Sequence, residues 1–151
     1  MVANVNLAKR YHARYLAVQA IYQWQQAEHD LTELLNQFST NNRFSKSDQQ
    51  YFIDLVSGVV NQVNELDELF KPFLDREIAT LNPVELAVLR LSCYELKFQP
   101  QLPYRVVINE GLEMTKLFGA TDGFKFVNAV LDKLAKQIRS VEVENNNGKN
   151  S

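Results

Sequence analysis

The chain is poor in the residues that build most catalytic and cofactor centres. It has one cysteine, Cys93, and two histidines, His12 and His29, among 151 residues. A single thiol excludes an internal disulfide and a cysteine-rich zinc cluster, so nothing points to an oxidising compartment. Neither histidine has a second ligand at metal spacing beside it, and no metal or cofactor is expected. The five glycines are scattered, and Gly119 with Gly123 is not followed by the Lys and Ser or Thr that a phosphate loop needs. No run approaches the roughly 18 apolar residues of a spanning helix, and the N-terminus lacks the apolar block of a secretory signal. A cytoplasmic protein with no membrane role is expected. Acids are missing from residues 1–27, which carry Lys9, Arg10 and Arg14. Organellar leaders share that feature but are Ser-rich, and this stretch has neither Ser nor Thr.

What the chain does have is helical periodicity. With 46% hydrophobic and 23% charged residues it has the balance of a folded domain, and its length suits one domain. Ala13, Leu16, Ala17, Ala20, Ile21 and Trp24 recur at steps of three and four, which predicts a long amphipathic helix over about 6–27. Asp30 with Glu33 signals a helix start before Leu31, Leu34, Leu35 and Phe38. Ser47 with Gln50 reads as a capping box for a third helix, whose Phe52, Leu55, Val56, Val59, Val63, Leu66 and Phe70 keep helical spacing up to Pro72. Asn82, Pro83 and Glu85 place an N-cap, an N1 proline and an N3 carboxylate ahead of Leu86, Leu89, Cys93 and Leu96. Further helices are expected from Pro103 to Gly119 and from Asp122 to Arg139, with no strand. The expectation is an all-α bundle of six to seven helices, a single domain over 1–140 and a polar, disordered tail over 141–151.

Catalysis finds little support. Cys93 falls on an apolar stripe, the place of a small buried hydrophobe. Glu65, Asp67 and Glu68 read as a solvated helix face. The cations are placed less ordinarily. Lys9, Arg10 and Arg14 occupy early helical turns, where the positive end of the macrodipole disfavours exposed cations by about 0.3–1 kcal/mol each. Tyr11 and Tyr15 interleave aromatic surface with them. That composition suits RNA, with guanidinium groups on phosphates and rings stacked on unpaired bases; it is equally the composition of a solvated basic face. Lys125 between Phe124 and Phe126 repeats the pairing near Asp122, where the local pattern alone favours Phe126 in the core and Lys125 in water.

The blocks RYHARYLAVQAIYQW, DLVSGVV, LNPVELAVLRLSCYEL, LPYRVVINEGLEMTKLFG and KFVNAVLDKLA, in this order over residues 8–139, resemble the NusB family of transcription antitermination factors. The resemblance implies two small helical subdomains and no catalysed reaction. It implies binding to boxA-type single-stranded RNA of ribosomal transcripts together with NusE, a small-subunit ribosomal protein, in an antitermination complex with RNA polymerase. Carried over by motif, Lys9, Arg10, Arg14, Asp122, Lys125 and Phe126 would contact RNA. Tyr22 and Glu85 would face the partner, although Glu85 also suits a purely capping role at Asn82. Where family members often carry a denser arginine cluster, Tyr11 and His12 stand here, which predicts weaker unaided RNA binding and greater reliance on the partner. Protonation of His12 in mild acid would add charge. Two other functions fit the pattern: an adaptor that recruits protein without touching RNA, and a detached form of the NusB-like domain of ribosomal RNA cytosine methyltransferases. The sequence after Arg139 leaves no room for the catalytic domain of the latter.

Overall fold

The computed structural model describes residues 2–27 and 29–149, and these contain eight α-helices and no strand. In chain order they are α1 (Val2–Ala27), α2 (Leu31–Ser39), α3 (Gln49–Asn61), α4 (Val63–Phe70), α5 (Pro83–Phe98), α6 (Tyr104–Phe118), α7 (Gly123–Ile138) and α8 (Ser140–Lys149). Single 3₁₀ turns fill Phe44–Lys46, Lys71–Phe73 and Ile78–Thr80. No helix among the described residues is long and apolar enough to cross a membrane.

The helices form two groups, α1 to α3 and α4 to α8, joined by α5. This helix packs against α1, α3, α4, α6 and α7. Its buried residues include Ala87, Val88, Leu89, Leu91, Ser92, Cys93 and Leu96, on almost every side, as a central helix requires. Leu86 is only partly buried, whereas Cys93 is fully buried with its thiol pushed up to about 12 by burial, the state of an inert core residue. On α1 the expected face is intact, with Ala13, Leu16, Ala17, Ala20 and Ile21 all inaccessible to solvent.

One polar network crosses this apolar centre. Arg14 of α1 is 3% exposed and Glu95 of α5 is 0% exposed. The Arg14 Nε donates to both Glu95 carboxylate oxygens at 3.1 and 3.0 Å, and its terminal nitrogen lies 2.9 Å from one of them. The Tyr51 hydroxyl of α3 donates to the same carboxylate. Burial disfavours charge on Arg14, but the Glu95 carboxylate outweighs it and raises the guanidinium pKa. Burial and the same carboxylate push the Tyr51 phenol upward, so it stays protonated and donating. Three helices from both groups are thereby fixed at one point.

Three expectations change. The third helix breaks at Gln62 into α3 and α4. Its N-cap is Asp48, whose Oδ1 accepts from the Tyr51 N–H at 3.1 Å, while the Ser47 hydroxyl donates to the Phe44 carbonyl. The tail expected to be disordered over 141–151 is instead helical over 141–149 as part of α8, for tertiary reasons, and 150–151 lie outside the described residues. Arg139 donates to the carbonyls of Leu96, Gln99 and Leu102 at 2.8, 3.1 and 2.8 Å, satisfying chain just past and within the last turn of α5. It also pairs with Glu142 at 2.8 Å, and Glu142 accepts from the Tyr104 N–H at 2.8 Å, capping α6. Val143 then covers the core with 7% exposed.

Removing Glu95 would leave a buried, unpaired guanidinium. Glu95→Ala is expected to cost about 3–5 kcal/mol in urea unfolding, while the apolar pair Arg14→Met with Glu95→Leu costs less than that single change.

Candidate nucleic-acid and partner interface

Of the three cations expected at the start of α1, two face solvent. Lys9 is exposed. Arg10 is about one-third exposed, 3.8 Å from Asp48, with its guanidinium 4.4 Å above the Tyr51 ring. A half-solvated pair at that distance holds the side chain only weakly, so Arg10 remains available to an anion. Arg14 is a correction: it lies one turn further on the same helix and points inward to Glu95. Its Nε and one terminal nitrogen are committed to that carboxylate and water barely reaches it, so it braces the site and does not form its surface.

Beside Lys9 and Arg10 the turn at Phe44–Lys46 contributes cations that sequence reasoning passed over. Arg43 donates to His12 Nδ1 at 3.1 Å and lies 3.6 Å from the centroid of the Tyr15 ring. His12, Asn41, Asn42, Arg43 and Lys46 line an open recess of about 310 Å³. The signal was present, since the segment STNNRFSK is as free of acid as the first 27 residues. Burial, then the charges of Arg43 and Lys46, lower the His12 pKa below its ordinary 6.5. The expected gain of charge in mild acid therefore moves to lower pH.

The second surface is the start of α7. Asp122 and Lys125 are both exposed and lie 3.6 Å apart, an i, i+3 pair too solvated to immobilise either. Phe126 is half-buried beneath Arg76, whose guanidinium carbon lies 4.9 Å from the ring centroid and which pairs with Asp75 at 2.9 Å. Arg76 is a further residue the sequence did not single out. Lys116 lies 5.2 Å over Phe124, so cations and rings alternate here too.

The residues expected to face a partner adjoin this second surface. Asn82 Oδ1 accepts from the N–H groups of Val84 and Glu85 at 2.9 and 3.3 Å, as a cap should. The Glu85 carboxylate itself packs against the first residue of α7: a Cβ on Gly123 would fall 2.7 Å from its Oε2. Any larger residue there would require the Glu85 carboxylate to shift. Glu85 is 7% exposed, and burial raises its pKa against the opposing charge of Arg76. Tyr22, 38% exposed, lies on a groove of about 360 Å³ with Val18, Gln19, Gln23, Phe38, Val84 and Phe118. Phe118 links the two regions, because its ring centroid lies 4.9 Å from that of Tyr15. One flank of α1 thus runs from Tyr11, past Tyr15 and Phe118, to the apolar groove at Tyr22.

Open surfaces of alternating cations and rings, beside an apolar groove, on an all-helical scaffold define a binding module for an anionic chain and a protein. The NusB family profile matches residues 11–136. The chain is 54% identical over 139 residues to the transcription antitermination protein NusB of Pseudomonas entomophila, covering 92% of this chain and 84% of that one. It is 52% identical over 133 residues to that of Alcanivorax borkumensis, covering 88% and 89%. Among solved structures, T. maritima NusB aligns with a TM-score of 0.78 at 27% identity over 89% of this chain and 96% of that one. A structure described as antitermination factors NusB and NusE in complex with dsRNA aligns at 0.73 and 26% identity, over 84% and 96%. The chain belongs to the NusB family.

An NMR titration of His12 should give a midpoint below 6.5, and Arg43→Ala should move it upward. The lowered folded value means that stability present above the unfolded value of about 6.5 is lost as pH falls below it and through the folded value. An unchanged midpoint in Arg43→Ala would show that Arg43 does not reach His12 in solution.

Proposed function

We propose that the chain is a transcription antitermination factor that binds boxA-type RNA of ribosomal transcripts together with NusE, acting in the cytoplasm by association and not by catalysis. The observation that carries this reading is 54% identity, over 92% of the chain, to a relative named for that activity. The surfaces agree with it. Lys9 and Arg10 contact phosphates at one end of the strip, and Lys125, with Asp122 and Phe126 beside it, contacts RNA at the other. Tyr22 and the groove around it receive the partner, and Glu85 orders the start of α7 between the two ligands. Arg14 supports this surface from within, holding α1 against Tyr51, on whose ring Arg10 rests.

The neighbour with NusE carries double-stranded RNA, which makes a duplex the second reading. Partly buried rings beside cations favour single strands, because bases stack on rings only when unpaired.

Binding of a labelled single-stranded boxA-type RNA and of its duplex, each with and without NusE, separates these readings. The single strand with NusE is expected to bind most tightly. Lys9→Ala with Arg10→Ala should make the salt dependence of log K shallower, by about 0.7 in slope for each phosphate no longer neutralised, and Lys125→Ala should act likewise. Tyr22→Ala should weaken NusE binding without RNA. If the basic variants leave the ternary complex unchanged while NusE still binds, the chain is a protein adaptor.

A further inference from the structure

We propose that the turn between α2 and α3 is an additional RNA subsite, in which Arg43 and Lys46 receive a backbone phosphate of the strand that Arg10 engages. This rests on the RNA-binding reading above and extends it to residues outside the resemblance.

The recess at this turn is lined by two cations, two amides and one imidazole, with no carboxylate among its lining residues. Among the described residues neither Arg43 nor Lys46 enters an ion pair, a freedom shared with Lys9, Lys97, Arg105, Lys116 and Lys133, whereas Arg10, Arg14, Arg76, Arg90, Lys125 and Arg139 are paired. Lys46 is exposed and Arg43 half-buried. Arg43 is also pre-positioned. Its guanidinium lies on Tyr15, 3.6 Å from the centroid, and His12 Nδ1 accepts one of its five N–H donors. The Asn41 side chain accepts the Arg43 backbone N–H at 2.8 Å and fixes the turn. A guanidinium held flat by a ring and an acceptor loses little freedom on binding and still offers a fork of donors to a phosphate.

The location makes the subsite continuous with the rest of the surface. The turn docks on α1 through the Asp48 N–H, which donates to the Lys9 carbonyl at 3.0 Å, beside the exposed cations at the helix start. Tyr15 lies under Arg43 and also meets Phe118. A strand running from Arg10 toward the start of α7 therefore crosses this turn. Cations on a neighbouring loop also offset the dilution of the first-helix cluster by Tyr11 and His12, a dilution that read in sequence as weaker binding.

The test measures the same single-stranded RNA and NusE over a salt series with Arg43→Ala, Lys46→Ala and the double variant, beside Lys9→Ala with Arg10→Ala. The slope should fall by about 0.7 for each cation withdrawn from a phosphate, with NusE binding in the absence of RNA unchanged. Lys46→Ala removes no stacked group, so its effect is free of any packing loss at Tyr15. Unchanged affinity and slope in all three variants, while the Lys9 and Arg10 variant weakens, would overturn the subsite and leave the proposed function standing. Absence of RNA binding by the unaltered protein would overturn both.

Discussion

A charged pair in an apolar centre is stable only when each partner satisfies the other, and Arg14 with Glu95 meets that condition through three close nitrogen–oxygen contacts and a tyrosine hydroxyl. Because those groups come from α1, α3 and α5, the network fixes where each helix lies along the others as well as that they pack. Apolar contacts alone tolerate some sliding; a bidentate ion pair does not. Everything exposed on α1 inherits its position from this point. Arg10 lies one turn earlier over the Tyr51 ring, and Tyr15 and Tyr22 follow along the flank that meets Phe118 and the apolar groove.

The same logic governs the far end of the molecule. Arg139 closes the chain beyond the last turn of α5, and Glu142 caps α6, so α8 ties α5 and α6 together although its own sequence is polar. At the other end of α5, Glu85 lies against Gly123 and sets the start of α7. The central helix is thus packed at one end and bonded at the other and toward its middle, and both candidate surfaces adjoin it.

Much of the fold was legible because long amphipathic periodicity leaves few alternatives: the stripes of α1 and α3 and the Asn82 cap lie where their spacing predicts. The break at Gln62 and the helix at Ser140–Lys149 were not, and the latter depends on partners distant in sequence. Arg14 shows the limit most sharply. Spacing places Arg10 and Arg14 on one side of a helix, but only the position of Glu95, 81 residues away, sends one to the core and leaves the other in water. Arg43 was hidden for the opposite reason, because a residue in a loop has no periodicity and its meaning comes from the Tyr15 ring beneath it.

Under the proposed function, nucleic acid lies along the exposed flank of α1 and reaches the start of α7. Backbone amide shifts of the NusE-bound protein, recorded as single-stranded RNA is added, test it most directly. Perturbations are expected at Lys9, Arg10, Tyr15, Arg43 and Lys125, with α4 and α8 unaffected. Perturbations confined to α4, α8 or the C-terminal end of α5 would contradict it.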